Sequence, residues 1–385
     1  MTDKTLSAAI EKALHELTTA PPYTSPASAY AAKMEEMLSP QDNTPPTREQ
    51  WEKLYEVAEK IFQLKPWEYL HESDNITILL PGRDEPMYMV TMGIGEVTYG
   101  VGIYPGYISR NALRKIETDA SDGVVSAAFE QHCINLYFGN REELEPDDRK
   151  IIKDLGLKFR GKNRWPHFRS MIPGFIPWVL NYSEAELAIQ ALQNYVMAFV
   201  AYAKGTSVDF ENGETLLRFF APELDMWINV PCEMPPVPIV TPRLQFRDDL
   251  TVAALKKKKK TAAKLSAVVS YLPAPIQENK NERPRLPLVA MLMDMSSGMI
   301  EGHAMEMTRE DIGGAAVEML VDYISQHGRP QSIDISDEFT HSILADFVSK
   351  VGIKQTQGDK SLAMNMIMEM MIGMGGGGQF GEDMF

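Results

Sequence analysis

The stretch V289-AMLMDMSSGMIEGHAM-305, followed at S332-IDISDEFTHSILADFVSKVGIKQ-355, decides the fold of the C-terminal half. Leu288–Met293 and Met299–Met305 are two apolar runs about a tight turn at Ser296–Gly298, the pattern of adjacent antiparallel strands. Arg309–His327 has helical spacing. Ser332–Ile335 is a short buried run, expected as a parallel strand reached through that helix. A second helix follows, and the acidic residues Asp334 and Asp337 stand at the tip of the short strand.

Working outward, the chain of 385 residues is 44% hydrophobic, enough to bury at least two cores. Its formal charge of −15 disfavours a general polyanion binder, because affinity for nucleic acid rests on Lys and Arg neutralising phosphates. Cys133 and Cys232 cannot build a disulfide framework or a cysteine-rich zinc site, and suggest buried thiols of a reducing compartment. The start of the chain lacks a signal-peptide pattern and no apolar run reaches membrane-span length, so the expected location is cytoplasmic. The seven histidines show no metal-binding spacing.

The expected domains are an N-terminal helix and flexible arm (1–46), an α+β domain (47–246), a lysine-bearing helix with a Pro-rich linker (247–285), an α/β domain (286–372) and a Gly/Met-rich tail (373–385). Within the first domain, Thr47 caps a helix whose face carries Trp51, Leu54, Tyr55, Ala58, Ile61 and Phe62. Ile76–Leu80, Met87–Met92 and Val97–Tyr104 form an antiparallel meander, with a strand at Ile134–Phe138. The segment 159–180 reads as a loop, and Ser183 with Glu186 as the capping box of a long helix ending near Lys204. Leu216–Phe220, Met226–Val230 and Leu244–Phe246 are strand candidates. Asp248 to Val269 reads as one helix containing Lys256–Lys260. Five consecutive lysines on a helix occupy every azimuth, so they suit a solvated segment better than one ligand.

The strand–turn–strand–helix–strand–helix order resembles the catalytic core of the DDE integrases and transposases, a ribonuclease H-like fold. The fold class expected is therefore an α+β N-terminal domain with an antiparallel sheet, and a ribonuclease H-like α/β C-terminal domain with a mixed sheet. The resemblance implies three carboxylates holding two metal ions for in-line phosphoryl transfer. Asp334 matches the strand-end carboxylate, and Glu369, 35 positions later, matches the helical one. The first family Asp is expected one strand before the SSG turn, near Lys280, where only Glu282 is acidic. Asp294 and Asp337 are the remaining candidates for a third ligand.

A second resemblance is to a family of uncharacterised bacterial two-module proteins, carried by Trp165, Pro166, Phe168–Ser170, Pro173, Gly174, Pro177 and Trp178, then by Arg283, Pro284, Asp294, Ser297, Gly298 and Gly328–Pro330. It implies no activity. Two readings follow. One is a non-catalytic interaction or regulatory scaffold with a degenerate ribonuclease H-like module, no metal or cofactor and a protein partner. The other is a metal-dependent nuclease or related phosphoryl-transfer enzyme in which Asp334 and Glu369 hold Mg²⁺ or Mn²⁺. Separately, Arg160, Arg164 and Arg169 interleave with Trp165 and Phe168. Trp165 and Trp178 are expected to be mostly buried, with the arginines at a rim where an anion or a carboxylate-bearing partner would bind.

Overall fold

The computed structural model describes residues 3–18, 43–95, 97–119, 128–234, 244–277, 279, 282–335 and 337–357. In chain order the helices are α1 (Asp3–Thr18), α2 (Arg48–Leu64), α3 (Gly106–Asp119), α4 (Pro146–Asp154), α5 (Tyr182–Ala203), α6 (Asp249–Lys256), α7 (Arg309–His327) and α8 (Glu338–Val351). The strands of the first sheet are β1 (Ile76–Leu79), β2 (Met87–Met92), β3 (Tyr99–Pro105), β4 (Cys133–Gly139), β5 (Trp165–Met171), β6 (Glu214–Ala221) and β7 (Met226–Glu233). Those of the second are β8 (Lys264–Tyr271), β9 (Leu288–Asp294), β10 (Ile300–Glu306), β11 (Ser332–Asp334) and β12 (Lys354–Thr356).

The first sheet runs β5-β4-β3-β2-β1-β6-β7, antiparallel throughout except where β6 lies parallel to β1. That one pair makes it mixed, because α5 carries the chain back across the sheet between β5 and β6. On one face α2 and α5 bury Leu54, Ile61, Leu192 and Phe199 against Ile76, Ile78, Met89 and Leu136. On the other, α1 packs Ala9 and Ala13 on Leu217 and Phe219, and α3 packs Leu113 near Tyr88 and Cys133. Local signals set the helix ends. Thr47 and Gln50 form a reciprocal capping box, and α2 stops at Lys65, in left-handed conformation before Pro66.

Three local expectations change here. The cap of α5 is Asn181 with Glu184, two residues before the expected Ser183 and Glu186. Both pairs fit the motif, and packing selects between them. Part of the segment read as a loop, Trp165–Met171, is the edge strand β5; Pro166 is tolerated at an edge. Leu244–Phe246 is no strand: its Leu244 and Phe246 amides donate to the Ser342 carbonyl and Asp346 carboxylate of α8, at 2.8 and 2.9 Å.

The second sheet runs β10-β9-β8-β11-β12. Counted along the chain this is order 3-2-1-4-5, with the second strand antiparallel to its neighbours and the fourth parallel to the first and fifth. That is the ribonuclease H-like arrangement, with α7 and α8 on the face that carries Leu265, Leu292 and Ile333. Its first strand corrects the sequence reading. α6 ends at Lys256, and Lys264–Tyr271, expected as the end of one helix, is the central strand β8. A strand buried on both faces shows no alternation, and the alanines on either side of the lysines favour helix locally. The parallel neighbours of β11 are consequently β8 and β12, while the β9–β10 hairpin lies beyond β8.

The Pro-rich segment 272–287 is likewise no linker between domains. It joins β8 to β9 within the second sheet and folds back onto the first domain. Among the described residues no helix is long and apolar enough to cross a membrane. Glu369, the methionine-rich segment and the Gly/Met tail lie outside the described residues, as does most of the N-terminal arm.

Candidate functional site

Asp334 ends β11, buried, and accepts a hydrogen bond of 2.7 Å from the Thr356 hydroxyl of β12. Asp294 ends β9 at the surface. Backbone hydrogen bonds from Ser297 (3.0 Å) and Ser296 (2.7 Å) hold its carboxyl below the ordinary range. This is an Asx-type cap of the turn. Register separates the two. Asp294 stands opposite Leu265, which stands opposite Ile333, whereas Asp334 stands opposite Ser266. Directly paired residues share a face and successive residues alternate, so Asp294 shares the helix-packed face and Asp334 the other. They do not converge on one ion.

Asp337 caps α8. It accepts from the Thr340 amide at 2.7 Å and from the Thr340 hydroxyl at 2.6 Å, while that hydroxyl accepts from the Val269 amide at 2.8 Å. Thr340 thus completes the β8 edge beyond the point where the short β11 stops. Burial pushes the Asp337 carboxyl above its ordinary range. Strand β8, the place of the first carboxylate in the integrase resemblance, reads Lys264-Leu-Ser-Ala-Val-Val-Ser-Tyr271 and contains no acidic residue. Lys280, the expected neighbourhood of that carboxylate, lies outside the described residues, and Glu282 comes after β8 in the chain. Among the described residues no group of three His, Cys, Asp or Glu side chains could hold a metal ion.

The aromatic-basic segment is a pin and not an open rim. Arg169 makes a two-pronged contact with the buried Asp148 of α4, at 2.9 and 2.5 Å. Arg164 reaches Glu59 at 3.2 Å and stacks 4.0 Å from the Phe62 ring. Arg160 is exposed. With two of the three cations already neutralised at separate places, the expected shared anion surface does not form. Trp165 and Trp178 are half-buried instead of mostly buried. Trp178 lines a different cleft of about 390 Å³ with Pro45, Pro46, Arg48, Trp51 and Lys150, residues the sequence reading did not combine.

Part of each module's sequence signature meets at the domain joint. Arg283, from the β8–β9 connection, donates from Nε to the Ile176 carbonyl at 2.7 Å and from Nη1 to the Ser170 hydroxyl at 3.2 Å; Nη2 reaches the Ser170 carbonyl. The Ser170 hydroxyl in turn donates to Glu184 at 2.5 Å. Main-chain bonds flank this fork: Ile176 N to Pro284 O at 3.0 Å and Leu286 N to Gly174 O at 2.8 Å. Gly174 has φ +74° and sits against the Tyr271 ring, so a side chain there meets both strain and a clash. Arg283 and Pro284 of the second module, with Ser170 and Gly174 of the first, therefore serve as a clasp.

Comparison with known proteins agrees with the two-module division. Residues 51–218 match the model of a domain of unknown function (DUF7309), and residues 251–372 match a second domain of unknown function (DUF6930). The second match begins at α6 and so takes in β8. No curated protein matches the chain at a significant level. Among solved structures, the integrase catalytic core domain of HTLV-2 in complex with magnesium (trimeric form) is similar at 14% identity, over 29% of this chain and 70% of that one, with a TM-score of 0.21. A simian T-cell lymphotropic virus intasome in complex with the PP2A regulatory subunit B56 gamma is similar at 16% identity, over 31% of this chain and 43% of that one, with a TM-score of 0.20. Scores this low carry no argument; the strand order above is what assigns the fold.

Proposed function

We propose that this chain is a non-catalytic interaction or regulatory protein that uses its ribonuclease H-like module as a scaffold. The observation that carries this reading is β8, which lacks any carboxylate where a two-metal phosphoryl-transfer site needs its bridging ligand. The opposite-face placement of Asp294 and Asp334 supports it further. A structural use for each acid also supports it: Asp294 holds a turn, Asp337 caps a helix and Asp334 ties β11 to β12.

The test is thermal unfolding with millimolar Mg²⁺ or Mn²⁺. The scaffold reading expects no shift with either ion. A metal present at a hundred times its dissociation constant and bound only to the folded state adds about 2.7 kcal/mol of stability. A gain of that size, abolished by Asp334→Asn, overturns the scaffold reading in favour of a metal-dependent nuclease using Asp334 and Glu369. Recovery from native lysate solely as an isolated monomer counts against an interaction role.

A further inference from the structure

The lysine run is not helical beyond Lys256. Lys257–Lys260 leave α6 in a turn and an extended segment that lies beside Arg329, with Arg329 N donating to Lys259 O at 2.9 Å and Thr261 N to Arg329 O at 2.9 Å. The five lysines are therefore not fanned around one helix. Lys258 is tied to the C-terminal end of α7 through Ser325 O at 2.8 Å. Lys256, Lys257, Lys259 and Lys260 are exposed, and among the described residues no ion pair forms on any of them. The sheet adds to this cluster. Ser332 stands opposite both Lys264 and Lys354, so these two exposed lysines flank the start of β11, about 10 Å apart across two strand spacings. Asp294, at the same end of the sheet, is occupied by its own turn amides.

We infer that this basic end of the second sheet, at the amino ends of β8, β11 and β12, is a docking surface for a short acidic segment of a partner protein. Charge and size both select that occupant. The run of five residues spans at most about 17 Å, and the strand register gives a width of about 10 Å. Such a patch meets a handful of carboxylates. A nucleic-acid duplex carries a charge every ~1.7 Å of its axis and would run off the patch. The inference names a partner class for the scaffold reading and rests on that reading only in taking the partner to be a protein. Metal binding and peptide binding are measured separately, so either can fail alone.

The experiment uses the full chain and fluorescence anisotropy, with a fluorescein-labelled decaglutamate peptide and an oligothymidylate of ten nucleotides as probes. The expected result is peptide binding at 50 mM salt that weakens at least tenfold by 300 mM, with the oligonucleotide at least tenfold weaker than the peptide. The triple variant Lys257→Gln, Lys259→Gln, Lys260→Gln should lose at least tenfold in peptide affinity with an unchanged melting temperature, because the backbone bonds of this segment remain. The variant Lys53→Gln, Lys60→Gln, Lys65→Gln removes the same charge elsewhere and should bind as the parent does. Absence of peptide binding, equal losses in both variants, or no loss in the first overturns the site. Tighter binding of the oligonucleotide overturns the partner class.

Discussion

Replacing Arg283 by Ala should be the most damaging single change at the domain joint. The guanidinium makes three hydrogen bonds to Ser170 and Ile176, and its burial pushes the pKa down to about 10 from an ordinary 12.5. The shift corresponds to a cost of about 3 kcal/mol for holding the charged form away from water. Bonds made by a charged group contribute about 1.5–3 kcal/mol each, so three of them outweigh that cost. The net loss in Arg283→Ala is therefore between about 1.5 and 6 kcal/mol, with Ser170 and Ile176 left short of a donor. Lysine should not rescue it, since a single ammonium cannot span a fork aimed at two carbonyls and a hydroxyl. Urea unfolding followed by tryptophan fluorescence reads the effect, because Trp178 lies beside the clasp. A loss below about 0.5 kcal/mol in Arg283→Ala, or a lysine variant equal to the parent, refutes the clasp as described.

Arg169→Ala should cost about 3–5 kcal/mol, because it strands the buried carboxylate of Asp148; the double variant with Asp148→Asn should recover part of that loss in the same denaturant titration. Gly174→Ala combines a left-handed backbone with a Cβ 3.0 Å from the Tyr271 ring, and should lower stability by about 1–3 kcal/mol in calorimetry. For Asp337 the folded carboxyl is raised above its unfolded value of 3.8, so its contribution is present below that pH and lost as pH rises through the folded value. Asp337→Asn keeps a cap acceptor without a buried charge. Its melting temperature relative to the parent should therefore climb from acid to neutral pH, and a falling difference would show that the charge is compensated.

Much of this molecule was legible without coordinates. The Thr47 cap, the β1–β3 meander, the β9–β10 hairpin about Ser296–Gly298, and the bounds of α7 all follow from turn chemistry and periodicity, which act over a few residues. Candidate acids were legible too, as residue types at strand ends. Their convergence was not. Whether Asp294 and Asp334 face each other depends on the register of β9 and β11 against β8, and β8 was itself hidden. An apolar strand buried on both faces has no alternation, and here it follows a lysine run that reads as helix. The same holds for Arg164 and Arg169, whose partners Glu59 and Asp148 lie 105 and 21 positions away.

What the sequence determined by itself was therefore the local chemistry: which residues cap, turn, alternate and carry charge. Tertiary structure alone decided where those residues meet. It made a Pro-rich stretch a clasp and turned a lysine run into one end of a sheet. It also set two aspartates on opposite faces. The physical reason is that hydrogen-bond register and the docking of one domain on another are contacts between segments far apart in the chain, and neither leaves a periodic trace in either segment.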